Sequence, residues 1–372
     1  MIWSLIITLA TVTGQLIRIP VSSGGITLLD TVVFIFCFLG LIKLKFQLKK
    51  PPLFLIAAFI FILVAIMSLI VTPLHLQFSE YVTSFLYIIR LSLYILFAQL
   101  IYSGSFNNFN EQMRTTLIYS GVGLAILGLF QFIFLPDLSF LTKWGWDPHY
   151  FRTVSTFFDP NFAGAYFVLT LLLLLQKPHL IFFALVFVAL LTTFSRSSYL
   201  MFLISSLTLA FLEKSKRIAT LVILLFITLL SGFQIYTILV SQPRHISREK
   251  SASFRFGTWQ QGIKIFQKYP ILGIGFNSYR YGLRELNLAD TQFLNTHGAS
   301  SNDSSLLFVA ATTGIIGFLS YLFFLGSLIW KTKNHLVIAA ILGLIIHSLF
   351  ANSLFFPPIL LWILLISVNP KK

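Results

Sequence analysis

LVILLFITLL, residues 221–230, decides the architecture. A membrane β-strand alternates apolar and polar residues over segments of about ten, and this run does not alternate. A segment apolar on every side reads as a helix surrounded by lipid or other helices. Outward from it, comparable runs recur near residues 2–17, 26–42, 53–72, 81–102, 115–135, 161–176, 179–195, 197–212, 218–240, 303–330, 336–351 and 354–368, about twelve spans in all. Most approach the roughly 17–25 residues needed to cross a bilayer core. Of 372 residues, 57% are hydrophobic and 10% charged, and the mean hydropathy of +0.89 excludes a soluble fold. The expectation is an all-α, polytopic membrane protein forming a single integral membrane domain over 1–372.

The net charge of +15 does not point to nucleic acid, because the basic residues flank the spans; it points to topology and to anionic membrane lipids. With the N-terminus inside, the inner connections hold thirteen Lys and Arg, while the short outer ones hold Arg18, Lys143, Arg152 and Arg196. The positive-inside rule therefore predicts both termini in the cytoplasm. The first twenty residues lack a basic leader region and a small-residue cleavage site, so they read as a retained span. Cys37, the single cysteine, reads as a small buried hydrophobe. A G-x-x-x-x-G-K-[ST] loop is absent from the sequence, which argues against ATP-driven machinery.

This topology places one long extracytoplasmic loop, residues 241–302, between spans nine and ten. Within it, SASFRFGTWQQGIKIFQKYP predicts an amphipathic helix from near Ser253 to before Pro270. Trp259, Gly262, Ile263 and Phe266 share its apolar face with Arg255, opposite Gln260, Gln261, Lys264, Gln267 and Lys268. Arg255 either snorkels to headgroups or points into a polar pocket between spans. The following KYPILGIGFNSYR, residues 268–280, has Gly273 and Gly275 but Ser278 where a dinucleotide-binding turn needs a third glycine, and neither a strand before nor a helix directly after is legible.

Other candidates surround this loop. Arg196, in TFSRSSYL, sits at an outer turn between spans. Arg90, in YIIRLSLY, lies deep in its span; it is costly unless it faces the bundle interior, where it pairs with Asp30 or meets substrate. Arginines converging from the outer half of a bundle suit a polyanion, because the guanidinium binds phosphate oxygens bidentately. Asp159 and Asn161, in FDPNFAG, cap a helix or join the site. His297, Asn302 and Asp303 stand at the mouth of the tenth span, where a histidine of ordinary pKa near 6.5 is the usual base; His347 and Asn352 are weaker candidates. No H-E-x-x-H, D-x-D or paired-carboxylate motif offers an outer metal site, and no cofactor is expected.

In order and spacing, FDPNFAG, SRSSYL, the long loop with R-x-x-x-W and YPILGIGFNSY, and NDSSLLFVAATTGIIG resemble the O-antigen ligase and Wzy-type polymerase superfamily of bacterial envelope glycan assembly. The resemblance implies a metal-independent inverting glycosyltransferase of the cytoplasmic membrane. It implies an undecaprenyl-diphosphate-linked glycan as donor, a glycan or lipid as acceptor, and an active site on the extracytoplasmic side. Family arginines that hold the donor diphosphate carry over to Arg196 and Arg255, with Arg90 as a further candidate. The family's His-Asn pair is replaced here by Ser301 and Asn302, with His297 slightly upstream, so Asp303 is a rival base; Asp159, Asn161 and Asn302 are supporting residues. The missing pair favours a polymerase over a ligase. The alternative class is a transporter or lipid-linked oligosaccharide flippase, which would show pseudo-repeats and helices broken near the midplane.

Overall fold

A computed structural model describes residues 2–21, 24–241, 248–330, 332 and 334–368. Helices occupy every expected span: α1 (Ile2–Thr13), α2 (Leu28–Lys43), α3 (Leu53–Ile70), α4 (Phe78–Ser103), α5 (Asn107–Phe134), α6 (Pro160–Gln176), α7 (Leu180–Thr193), α8 (Arg196–Leu212), α9 (Lys216–Tyr236), α13 (Ser305–Ile329), α14 (His335–His347) and α15 (Pro357–Val368). The long connection contributes α10 (Arg248–Lys268), α11 (Tyr279–Glu285) and α12 (Thr291–Leu294). Five helices, α3, α4, α5, α9 and α13, contain segments long and apolar enough to cross a membrane by length and composition. The other seven spans hold helices of 12 to 17 residues, below the roughly 20 of a full crossing.

Three expected boundaries are corrected. The spans placed at 2–17 and 26–42 stop short, because β1 (Arg18–Val21) and β2 (Gly24–Thr27) form an antiparallel hairpin between them. Thr27 then caps α2 in a reciprocal box with Asp30. In the long loop, α10 starts at Arg248 rather than near Ser253. Its buried seam is Thr258, Gly262 and Ile265, whereas Ile263 is exposed. The reason is tertiary: α10 packs against the start of α13, and at Gly262 a Cβ would come within 2.9 Å of the Asn302 amide.

Small residues bring the central helices together, as expected where lipid gives no hydrophobic drive to association. At Gly164 of α6 a Cβ would lie 2.4 Å from Ser198 Oγ of α8, and at Gly343 of α14 it would lie 2.7 Å from Ser205 Cβ of α8. α6 and α15 bury nearly every side chain, whereas α9 buries only Val222, Leu229 and Tyr236.

The glycines of YPILGIG have a structural use that their sequence does not reveal. α13 breaks at Gly314 (φ 63°, ψ −165°), and the turn at 270–275 fills the break. Ile274 N donates to Ala311 O (3.2 Å), Gly275 N to Thr312 O (2.9 Å) and Ile315 N to Pro270 O (2.8 Å). Gly273 (φ +66°) lies so close that a Cβ would meet the Thr312–Thr313 backbone at 2.4 Å. The groups freed by the break thus pair with protein backbone, as the hydrocarbon region demands. Gly314 does not line the cavity described below, unlike the broken helices that line transporter sites.

Candidate functional site

The hairpin, the 135–159 connection, the long loop and the α14–α15 connection gather at one end of the bundle around a cavity of about 390 Å³. Several ties hold them there. Thr72 after α3 donates its hydroxyl to Ile274 O (2.6 Å), Tyr236 at the end of α9 donates to Tyr150 O (3.0 Å), and Ser305 N donates to Ser348 O (2.9 Å). Arg284 of α11 pairs with Glu80 of α4, with Nη2 to Oε2 at 3.1 Å.

Of the expected site residues, Arg90, Arg255, Asp159, Asn161, His297, Asn302 and Asp303 line this cavity, as does Asn352. Arg196 does not. It is exposed at the start of α8 with its guanidinium over the Phe233 ring (5.9 Å), but it lies near enough to Arg255 for the two charges to repel. Arg90 has its charge met inside the protein: Nη2 donates to Asp30 Oδ2 (2.9 Å) and to Gly25 O, and Tyr94 donates to Asp30 Oδ1 (3.1 Å). Of the two readings for Arg90, the Asp30 pair is present.

Arg255 is half-buried, and burial lowers its pKa, opposed by the neighbouring Asp303. The Thr258 hydroxyl lies 2.9 Å from both Asp303 Oδ2 and Arg255 O, locking this carboxylate to α10. Asn302 is fully buried; Nδ2 donates to the Tyr279 hydroxyl (2.8 Å) and to Thr258 O, and Oδ1 accepts from Ser304 N (2.9 Å). It acts as a tie between α10, α11 and α13. Asp159 caps α6, with Oδ1 accepting from Asn161 N (2.6 Å) and Phe162 N (3.1 Å). Asn161 Oδ1 accepts from Ser195 (2.8 Å) and Ser197 (3.3 Å), joining α6 to the SRSS turn. His347, buried in α14, lies behind that turn, with Nε2 3.3 Å from Ser198 Oγ.

His297 follows α12 in a single 3-10 turn, ahead of α13. Its ring packs on Trp146 (4.4 Å between centroids), which also carries the Arg18 guanidinium over its ring (5.4 Å) and meets Phe158 edge-on (5.4 Å). Burial, together with Arg18 and Arg280, pulls the imidazole down to about 4. The near-neutral value that recommended His297 as a base is therefore not the one its surroundings give it.

Several cavity residues were not singled out from sequence, Arg18, Asp147, His149 and Arg152 among them. Arg152 stands in the cavity wall, its Nε donating to Thr193 O (2.8 Å) and Nη2 to Phe194 O (3.4 Å), the carbonyls that lead into the SRSS turn. Burial lowers its pKa, and it lies in the field of Asp159 and Arg255. Asp147 lines the cavity and is exposed there; partial loss of hydration, with the like charges of Asp159 and Asp303, pushes its pKa up to about 6. Both lie in WGWDPHYFR, residues 144–152, a loop without helical or strand periodicity. The buried Nε2 of His149 and Oδ1 of Asn352, also in cavity-lining residues, have no protein partner among the described residues.

A groove of different character adjoins the cavity. A groove of about 270 Å³ between β2, α2 and α4 shares Gly25, Tyr87, Arg90 and Tyr94 with it, and is otherwise walled mainly by Val21, Ile26, Phe34, Leu86, Ile89 and Leu93. A cationic chamber beside an apolar groove suits an amphiphile with an anionic head. No curated protein matches the chain. Residues 181–322, from α7 to α13 and including Arg196, Arg255, His297 and Asp303, match the family model described as O-antigen ligase, and that match supports the resemblance to the O-antigen ligase and polymerase superfamily.

Proposed function

We propose that the chain is a metal-independent, inverting glycosyltransferase that transfers or polymerises an undecaprenyl-diphosphate-linked glycan at the outer face of the bacterial cytoplasmic membrane, with both termini in the cytoplasm. The observation that carries this reading is that a chamber lined by Arg18, Arg90, Arg152 and Arg255, along with Asp147, Asp159 and Asp303, shares a wall with an apolar groove. The acceptor is a growing glycan chain or a lipid. Its hydroxyl oxygen attacks the anomeric carbon from the face opposite the diphosphate. The carbon–oxygen bond to phosphate breaks with its electron pair on the leaving group, and the acceptor proton passes to a cavity base.

Charge grows on the diphosphate as the sugar departs, and fixed donors aimed at that charge lower the barrier. Arg255 supplies one from α10, Arg152 stands with it in the cavity wall, and Arg196, outside that wall, adds the field of its charge from the neighbouring turn. Asp147 is the favoured proton acceptor, because a base with a pKa near the working pH is most effective; His297 and Asp303 are the rivals. The test is transfer by the purified protein from a lipid-linked glycan in EDTA, followed by release of undecaprenyl diphosphate. Undiminished release supports the reading; loss of activity restored by magnesium or manganese moves the protein to a metal-dependent class.

A further inference from the structure

The end of the bundle opposite the cavity holds a second cleft, of about 1840 Å³, well beyond the roughly 300–1,000 Å³ of small-molecule pockets. Arg114 of α5, Lys177 after α6 and Arg217 of α9 stand among its lining residues, and among the described residues Glu213 is the one carboxylate there. That carboxylate is occupied: Oε1 accepts from Gln176 Nε2 (2.7 Å), while Gln176 Oε1 accepts from Arg114. Lys177 and Arg217 are exposed. The remaining walls are largely apolar, with Phe183 and Phe187 of α7, Leu221 and Leu225 of α9 and Ile338 of α14. α9 closes one side of the cleft and packs only lightly on the bundle.

We propose that this cleft binds one anionic phospholipid, its phosphate at Lys177 and Arg217 and its acyl chains between α7, α9 and α14. Size and apolar walls call for acyl chains, and two of the three cations lack a carboxylate in the lining. A zwitterionic headgroup would bring its own ammonium to a rim whose one carboxylate among the described residues is already bonded. Basic pockets between membrane helices recognise anionic lipids in this way. The bound lipid would fasten α9 to the bundle, independently of the reaction at the other end.

The experiment is thermal unfolding of the full chain in detergent, titrated with phosphatidylglycerol, phosphatidylcholine or inorganic phosphate. Phosphatidylglycerol should stabilise saturably, at a concentration at least about tenfold below phosphatidylcholine, and phosphate alone should do nothing. The double variant Lys177→Gln/Arg217→Gln should weaken the phosphatidylglycerol response about thirtyfold, on the usual contribution of basic residues near a charged headgroup. Lys216→Gln, an exposed cation outside the cleft, should leave it intact. Ile338→Trp, which fills the cleft with the cations in place, should abolish saturation. Equal responses to the two lipids, stabilisation by phosphate alone, an unchanged double variant, an equal loss in Lys216→Gln or persistent saturation in Ile338→Trp would each overturn the proposal.

Discussion

Arg152 donates Nε to the Thr193 carbonyl at 2.8 Å, and through that bond the 135–159 connection holds the turn that presents Arg196. The bond also orients a guanidinium in the cavity wall that sequence did not single out. Arg152→Lys keeps the charge and loses the planar fork. Single-turnover transfer should fall about a hundredfold with little change in KM, and stability by about 1–3 kcal/mol from the carbonyls left without their donor. Unchanged turnover with the same stability loss would make Arg152 a purely structural tie.

The acceptor base can be separated by pH. Asp147 must be ionised to take a proton, so with its pKa raised to about 6 the rate should rise through that pH and be lost below it. Asp147→Asn should remove about 100-fold to 10,000-fold of the rate along with that limb. His297, held near 4, is already neutral across this range, so His297→Ala should stay within about threefold of the parent. A limb near pH 4 that vanishes in His297→Ala would return the role to the histidine.

The groove predicts a dependence on lipid length. Ile89 lines it and is partly exposed, so Ile89→Trp should fold normally and obstruct it. KM for a long-chain lipid-linked donor should rise about tenfold, the order expected for a perturbed apolar contact, while a short-chain diphosphate-linked donor should turn over as before. Equal effects on both donors would place the lipid elsewhere.

Much of the architecture was legible because apolar runs such as LVILLFITLL carry their own signal, and helices occupy all the expected stretches. The hairpin was not, since strands of four residues leave no periodic trace beside long apolar runs. Nor was the break in α13: Gly314 in TTGIIG reads as one more small helical residue until segment 270–275 is seen against it. Helical periodicity put Arg255 on the inward face of α10, whereas the choice of Ile263 failed because packing on α13 turns Thr258, Gly262 and Ile265 inward instead. Asp147 and Arg152 lie in a non-periodic loop, and the charge state of His297 depends on Arg18 and Arg280, which only the fold brings near.

The central claim, that cations of α10 and the α7–α8 turn hold the departing diphosphate, is tested most directly by single-turnover transfer from a lipid-linked donor with Arg255→Lys and Arg196→Lys at matched protein levels. One well-placed donor of this kind contributes about a hundredfold to a thousandfold in rate. Each variant should therefore lose most of its activity while retaining insertion and fold, with the larger loss at Arg255, which lines the cavity. Rates within about threefold of the parent for both, a difference of about 0.65 kcal/mol, would contradict the account.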